Sequence, residues 1–149
     1  MIVGIGLDIV EVARWSRVLA KIEAQVFTPR ELAACAGRVD REDALAARFA
    51  AKEACLKALR AGIRQGALRQ VELVSAPGGA PEIRFLGALV EQARESGVRT
   101  AHVSLSHQQG FAAAVVILEG TRTRAAPARR WRRSAALALE TTSMPGDTW

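Results

Sequence analysis

An α+β fold is predicted, with a small antiparallel-rich sheet and helices packed on one of its sides. Two observations predict it. Short apolar or alternating runs at 2–8, 70–76, 82–86, 101–107 and 110–119 read as strands, and helical spacing separates some of them at 11–25, 41–60 and 87–96. The last four strands also fall into two pairs, each joined by a short Gly-containing turn, which suits hairpins better than parallel crossovers.

Residues 2–8 (IVGIGLD) read as a buried strand that ends at Asp8. Positions 11–25 follow as a helix with Val12, Trp15, Val18, Leu19 and Ile22 on its apolar face and Arg14, Arg17 and Lys21 on a more exposed one. Thr28-Pro29 is a helix start, hydroxyl cap then first-turn proline, and Gly37 stops that helix. Asp40 is expected to cap the longest helix, 41–60, with Glu42 and Asp43 near its positive end and Gly62 closing it. A strand at 70–76 turns through PGG and Pro81 into EIRFL. A helix over 87–96 stops at Gly97, and AHVSLSH and GFAAAVVILE form the last hairpin around Gln108–Gly110.

The chain has 149 residues, half of them hydrophobic and 24% charged, which suits one soluble domain with a single core. No apolar run approaches the roughly 20 residues that cross a bilayer, and Asp8 interrupts what would be a signal-peptide core. A cytoplasmic protein is expected. Cys35 and Cys55 have neither CxxC spacing nor a neighbouring histidine and read as small buried side chains. The net charge of +6 is uneven: 120–149 hold six arginines against Glu140 and Asp147, leaving 1–119 at about +2. Two units are therefore expected, a domain at 1–119 and a basic, disordered extension at 120–149 with a transient helix around 135–140.

On the long helix Leu45, Phe49, Leu56 and Leu59 form an apolar stripe with Lys52 in its middle. A lysine there is costly unless its ammonium finds a partner or a route to water. Glu53 and Lys57 lie on the shoulder of the stripe, and Arg48 flanks the other side. By pattern alone Glu53 and Lys57 are an ordinary i, i+4 pair contributing about 0.2–0.5 kcal/mol. Asp8 alone reads as a cap for the following helix. Taken together, however, a strand carboxylate and a helix carboxylate suit Mg²⁺, which takes one or two carboxylates, waters and substrate phosphate oxygens.

GIGLDIVEVAR, RFAAKEACLKAL, the Gly79-Ala80-Pro81 turn and HVSLSH occur in that order. Together they resemble the holo-acyl-carrier-protein synthases, the small bacterial group of the phosphopantetheinyl transferases, over residues 1–119. The resemblance implies a homotrimer and a Mg²⁺-dependent transfer of phosphopantetheine from coenzyme A to a serine of an apo acyl carrier protein, releasing 3′,5′-ADP in support of fatty acid biosynthesis. It implies Asp8 and Glu53 as metal ligands and Glu53 and Lys57 as catalytic residues. Arg48, Lys52, Lys57, Gly79, Pro81 and His102 would bind coenzyme A. Arg14, Arg17 and Lys21 would dock the acidic carrier. The acceptor of the serine proton stays open between Glu53 and a metal-bound hydroxide. Ala80 stands where the family often has lysine, which puts one nucleotide contact in question, and Phe49 replaces a tryptophan of the wider superfamily.

Rival readings are the same chemistry serving polyketide or peptide-synthetase carriers, a carrier-binding protein without activity, and nucleic-acid binding through RRWRR at 129–133. The last is confined to the extension, since 1–119 is nearly balanced in charge. His107 reads as a solvated turn residue.

Overall fold

Strand β1 (Ile2–Glu11) carries glycine at positions 4 and 6, and these two positions set how the fold closes. They face helix α3 (Arg41–Leu59), whose facing positions include Ala54 and Ala58. With hydrogen on one side and methyl groups on the other, the helix backbone lies directly on the strand. The computed structural model describes residues 1–62 and 66–121, the side chains of Leu19 and Ala20 excepted.

Around this contact the order is β1, α1 (Val12–Val26), α2 (Pro29–Cys35), α3, β2 (Val71–Ser75), β3 (Pro81–Phe85), α4 (Ala88–Glu95), β4 (Val98–Gln108) and β5 (Phe111–Gly120). A short 3-10 turn at Leu68–Gln70, which the periodicity did not announce, leads into β2. The strands make two antiparallel sheets, β1-β5-β4 and β2-β3. The α+β architecture is as predicted, with α3 crossing one side of the larger sheet.

Register decides what each face carries. Gly4, Gly6, Asp8 and Val10 pair with Leu118, Val116, Ala114 and Ala112 on the face that α3 covers. Alternation then turns Ile5, Leu7 and Ile9 outward, 62%, 65% and 68% exposed.

Several local expectations change. β1 runs on to Glu11, so Asp8 lies inside the strand, and Glu11, with no side-chain cap bond, occupies the start of α1. Asp40 does not cap α3 through its side chain; Arg38 takes that carboxylate with two bonds of 2.8 and 2.7 Å. Arg60, in the left-handed region at φ 54°, ends α3 before Gly62 is reached. Val18 is exposed rather than on the core face of α1.

The largest change concerns α3. Besides Leu45, Cys55 and Leu56, its alanines 46, 50, 51 and 54 are buried, so the helix is enclosed on most sides instead of presenting one stripe. Methyl-sized side chains allow close neighbours all round, and a wheel of apolar bulk undercounts alanine faces. The expected extension beyond residue 121, with its 135–140 helix and RRWRR, lies outside the described residues, as does the side chain of Leu19.

Candidate active site

Because residues alternate along β1 and Asp8 falls on the α3 face, its carboxylate meets the helix one turn beyond Glu53. Lys57 of α3 places its Nζ 2.6 Å from Asp8 Oδ1 and 3.1 Å from the Leu7 carbonyl oxygen. The Lys57 side chain remains 51% exposed while Asp8 is 16% exposed, so the ammonium sits at the rim of the site and can be displaced toward solvent. Glu53 is buried, and its carboxylate and that of Asp8 border one cavity of about 600 Å³.

Asp8 bears on the titration of Glu53. Burial holds the Glu53 carboxyl above its ordinary value, the negative charge of Asp8 adds to this, and Lys57 partly opposes it. No hydrogen bond to the Glu53 side chain occurs among the described residues. A hard divalent cation fits this donor set: two oxygen ligands in one open cavity, one of them already answered by an ammonium standing where positive charge is wanted. No cluster of three or more His, Cys, Asp or Glu side chains is found among the described residues, so such an ion would complete its shell from waters and substrate oxygens.

Apart from Glu11 and Arg14, the remaining wall of the cavity is apolar. Trp15 stacks edge-on to Phe27 at 5.9 Å and tilts against Phe49 at 5.6 Å, with Val18 and Phe111 alongside. The Trp15 Nε1 is buried without a partner. Sequence reading placed Trp15 and Phe49 in the core stripes and gave Phe111 no task. A lone aromatic on a helix face carries no sign that it borders a cavity.

Lys52 lies elsewhere. Its side chain is fully enclosed, as is that of Glu31, and Nζ lies 2.7 Å from Glu31 Oε2. The same ammonium donates to the carbonyl oxygens of Leu68, at 3.1 Å, and Val71. Burial pushes its pKa down, and the charge of Glu31 opposes that. Glu31 also accepts from Leu73 N at 3.0 Å and from Thr28 N at 2.9 Å, while Thr28 Oγ1 donates to Glu72 at 2.7 Å. Thr28 and Glu31 form a reciprocal capping box at the start of α2. Sequence reading named the Thr28 cap and missed Glu31, although the T-x-x-E spacing carried that signal.

A second cavity, of about 360 Å³, collects Arg48, Gly79 and Pro81, joined by Arg38, which sequence reading did not single out. Arg48 donates through Nη1 to Ala44 O at 3.1 Å, and its buried Nε has no partner. His102 is on neither wall: it pairs in register with Ile117 on the sheet face away from α3, its Nε2 2.7 Å from Glu119 Oε2. His107 is exposed as expected, but it lies within β4 opposite Ala112 and not in the turn, because the strand runs on to Gln108. Arg14, Arg17 and Lys21 are all exposed on α1, and Arg14 reaches the rim of the Asp8–Glu53 cavity. Cys35 and Cys55 are buried free thiols.

A family model described as the 4′-phosphopantetheinyl transferase superfamily matches residues 4–116. A holo-[acyl-carrier-protein] synthase of Anaeromyxobacter sp. (strain K) is 48% identical over 129 residues, covering 81% of this chain and 98% of the relative. The crystal structure of a holo-[acyl-carrier-protein] synthase from Neisseria meningitidis superposes with a TM-score of 0.72 at 34% identity, over 80% of this chain and 99% of that one. A holo-(acyl-carrier-protein) synthase from Bacillus anthracis, solved in complex with CoA (3′,5′-ADP), gives 0.68 at 32% identity, over 81% and 99%.

Proposed function

The chain belongs to the 4′-phosphopantetheinyl transferase superfamily, and on that premise we propose that Asp8, Glu53 and Lys57 form its reaction centre. It is an enzyme of the holo-acyl-carrier-protein synthase type. It moves 4′-phosphopantetheine from coenzyme A to a serine of an apo acyl carrier protein, in fatty acid biosynthesis. The observation that carries the site is the convergence of Asp8 and Glu53 on one cavity, with the Lys57 ammonium 2.6 Å from the Asp8 carboxylate.

Asp8 and Glu53 would hold Mg²⁺. When bound, the ion neutralises diphosphate charge as it shifts to the leaving oxygen. Lys57, whose half-exposed ammonium stands beside Asp8, would turn it to the phosphate under attack. Glu53, at the cavity where the attacking serine arrives, takes its proton. The serine oxygen bonds to the β-phosphorus, the bond from that phosphorus to the bridging oxygen breaks, and 3′,5′-ADP leaves.

Arg48, Gly79 and Pro81, with Arg38 beside them, take the nucleotide end of coenzyme A in the second cavity. Arg38 there offers a cation close to the turn in which Ala80 does not. Lys52, wholly enclosed, acts on coenzyme A only through the scaffold. Arg14, Arg17 and Lys21 meet the acidic carrier.

We place His102 in the site of a neighbouring protomer, since it lies on the outer sheet face of its own. The row of exposed Ile5, Leu7 and Ile9 on that face supports the homotrimer, because solvent leaves such a row uncovered at a cost that a second copy removes. The transferase unit is 1–119, and the basic extension at 120–149 stands outside it; support for the first part is the family match over residues 4–116. Among the described residues no helix is long and apolar enough to cross a membrane, and we place the protein with its soluble substrates in the cytoplasm.

The test is direct. Incubation with coenzyme A, Mg²⁺ and apo fatty-acid carrier adds one phosphopantetheine to the carrier mass, and EDTA abolishes the gain. Absence of any gain overturns the reading. A faster gain on polyketide or peptide-synthetase carriers would reassign the client.

A further inference from the structure

Lys52 and Glu53 are neighbours on α3, so their side chains leave the helix about 100° apart, Glu53 toward the reaction-centre cavity and Lys52 into the enclosure with Glu31. Glu53 borders the reaction centre, yet no hydrogen bond or ion pair to its side chain occurs among the described residues. Its direction is therefore set by the rotation of α3 about its own axis.

Apolar packing fixes that rotation only in part, through Leu45, Leu56 and Leu59 in the core and the close approach of Gly4 and Gly6 to the backbone of Ala58 and Ala54. Elsewhere α3 meets its surroundings through Ala46, Ala50 and Ala51, whose methyl groups interlock weakly with their neighbours. Further, directional restraint comes from Lys52. Its ammonium is held by acceptors on three separate segments: the Glu31 carboxylate of α2, Leu68 O in the 3-10 turn, and Val71 O at the head of β2. Glu31 is fixed in turn by the backbone N–H groups of Thr28 and Leu73. All of these bonds are buried or nearly so, where charge-assisted bonds are strong and an unpaired ammonium is costly.

We propose that Lys52 and Glu31 are a positioning pair that locks the rotation of α3 and so aims Glu53, and Lys57 one turn on, at Asp8. The pair touches neither substrate nor the cation. This proposal rests on the functional reading above, in which Asp8 and Glu53 grip a divalent ion.

The experiment compares wild type, Lys52→Met and Glu31→Gln, each checked for folding by circular dichroism well below its melting temperature. Mn²⁺ affinity is read by electron paramagnetic resonance on the protein alone, and kcat and KM for coenzyme A are read separately. Loosening the helix lowers Mn²⁺ affinity by about tenfold or more in both variants, as removal of a ligand's supporting partner does. It lowers kcat with little change in KM for coenzyme A. Glu31→Gln is the sharper arm, since it keeps Lys52 and an acceptor oxygen and decides the matter alone if Lys52→Met does not fold.

Mn²⁺ affinity within about twofold of wild type in the folded variants overturns the positioning role. So does a rise in KM for coenzyme A in Lys52→Met with metal affinity and kcat intact, which would make Lys52 a substrate contact. A wild-type protein that binds no Mn²⁺ and modifies no carrier sinks the metal reading itself, a result distinct from either variant outcome.

Discussion

A Cβ added to Gly6 would lie 1.8 Å from the carbonyl oxygen of Ala54. The obstacle is helix backbone, which cannot swing aside as a long side chain does. Gly6→Ala must push α3 off β1, and that separates Glu53 from Asp8 as well. The expected loss of stability is at the upper end of overpacking effects, about 3 kcal/mol or more, read from the urea midpoint. A variant of unchanged midpoint and activity would show that the strand and helix are further apart than described.

Removing either carboxylate disables the site without unfolding the protein. Asp8→Asn and Glu53→Gln should each lower kcat/KM by about 10²- to 10⁴-fold, the range for a group used in proton transfer or charge stabilisation. The check is carrier modification followed by mass, beside a thermal melt showing a folded protein. Near-wild-type turnover in Glu53→Gln would falsify the assignment.

Lys57 separates catalysis from stability. Its pair with Asp8 is half open to water, so its worth to the fold is about 0–1 kcal/mol. Lys57→Met should therefore melt within a few degrees of wild type while kcat drops by about 10²-fold or more. A large stability loss with kcat retained would assign Lys57 to the scaffold.

The raised Glu53 carboxyl predicts a pH effect whose sign is definite. As pH falls toward that raised value, the carboxylate takes up a proton before an ordinary glutamate would. A proton and a divalent cation compete for the same oxygens, so more Mg²⁺ is needed at lower pH. Burial is the first cause of the shift and Asp8 the second, so Asp8→Asn should bring the Glu53 titration down only part of the way. Carbon NMR of the Glu53 carboxyl, without metal, reads this directly. An unchanged titration would mean that the two carboxylates do not sense each other.

Charge removal on α1 should act on encounter, not on chemistry. Arg17→Ala with Lys21→Ala leaves kcat at saturating carrier near wild type and raises KM for the carrier by roughly tenfold at low salt. The difference shrinks as ionic strength rises. A defect that persists unchanged in high salt would remove electrostatic steering from the account.

Much of the fold could be read in advance because each element carries its own local period and punctuation. The hairpins follow from Gly and Pro turns, and α2 follows from Thr28-Pro29. The exceptions share a cause. Asp40 lost its capping role to Arg38, and Asp8 lost a strand end to a longer β1, because the competing partner or pairing comes from outside the local window.

The amino-acid order by itself determined that a carboxylate sits on the first strand, that Glu53 and Lys57 share one side of a helix, and that Lys52 points away from them. Those are consequences of covalent spacing at 3.6 residues per turn. Which sector of α3 meets water and which meets Glu31 was decided only by the tertiary structure. Angles around a helix are fixed relative to one another, but their absolute direction depends on what α2, β1 and β2 place against each side. Two lysines five residues apart thus end with opposite surroundings, Lys57 half in solvent beside Asp8 and Lys52 sealed against Glu31.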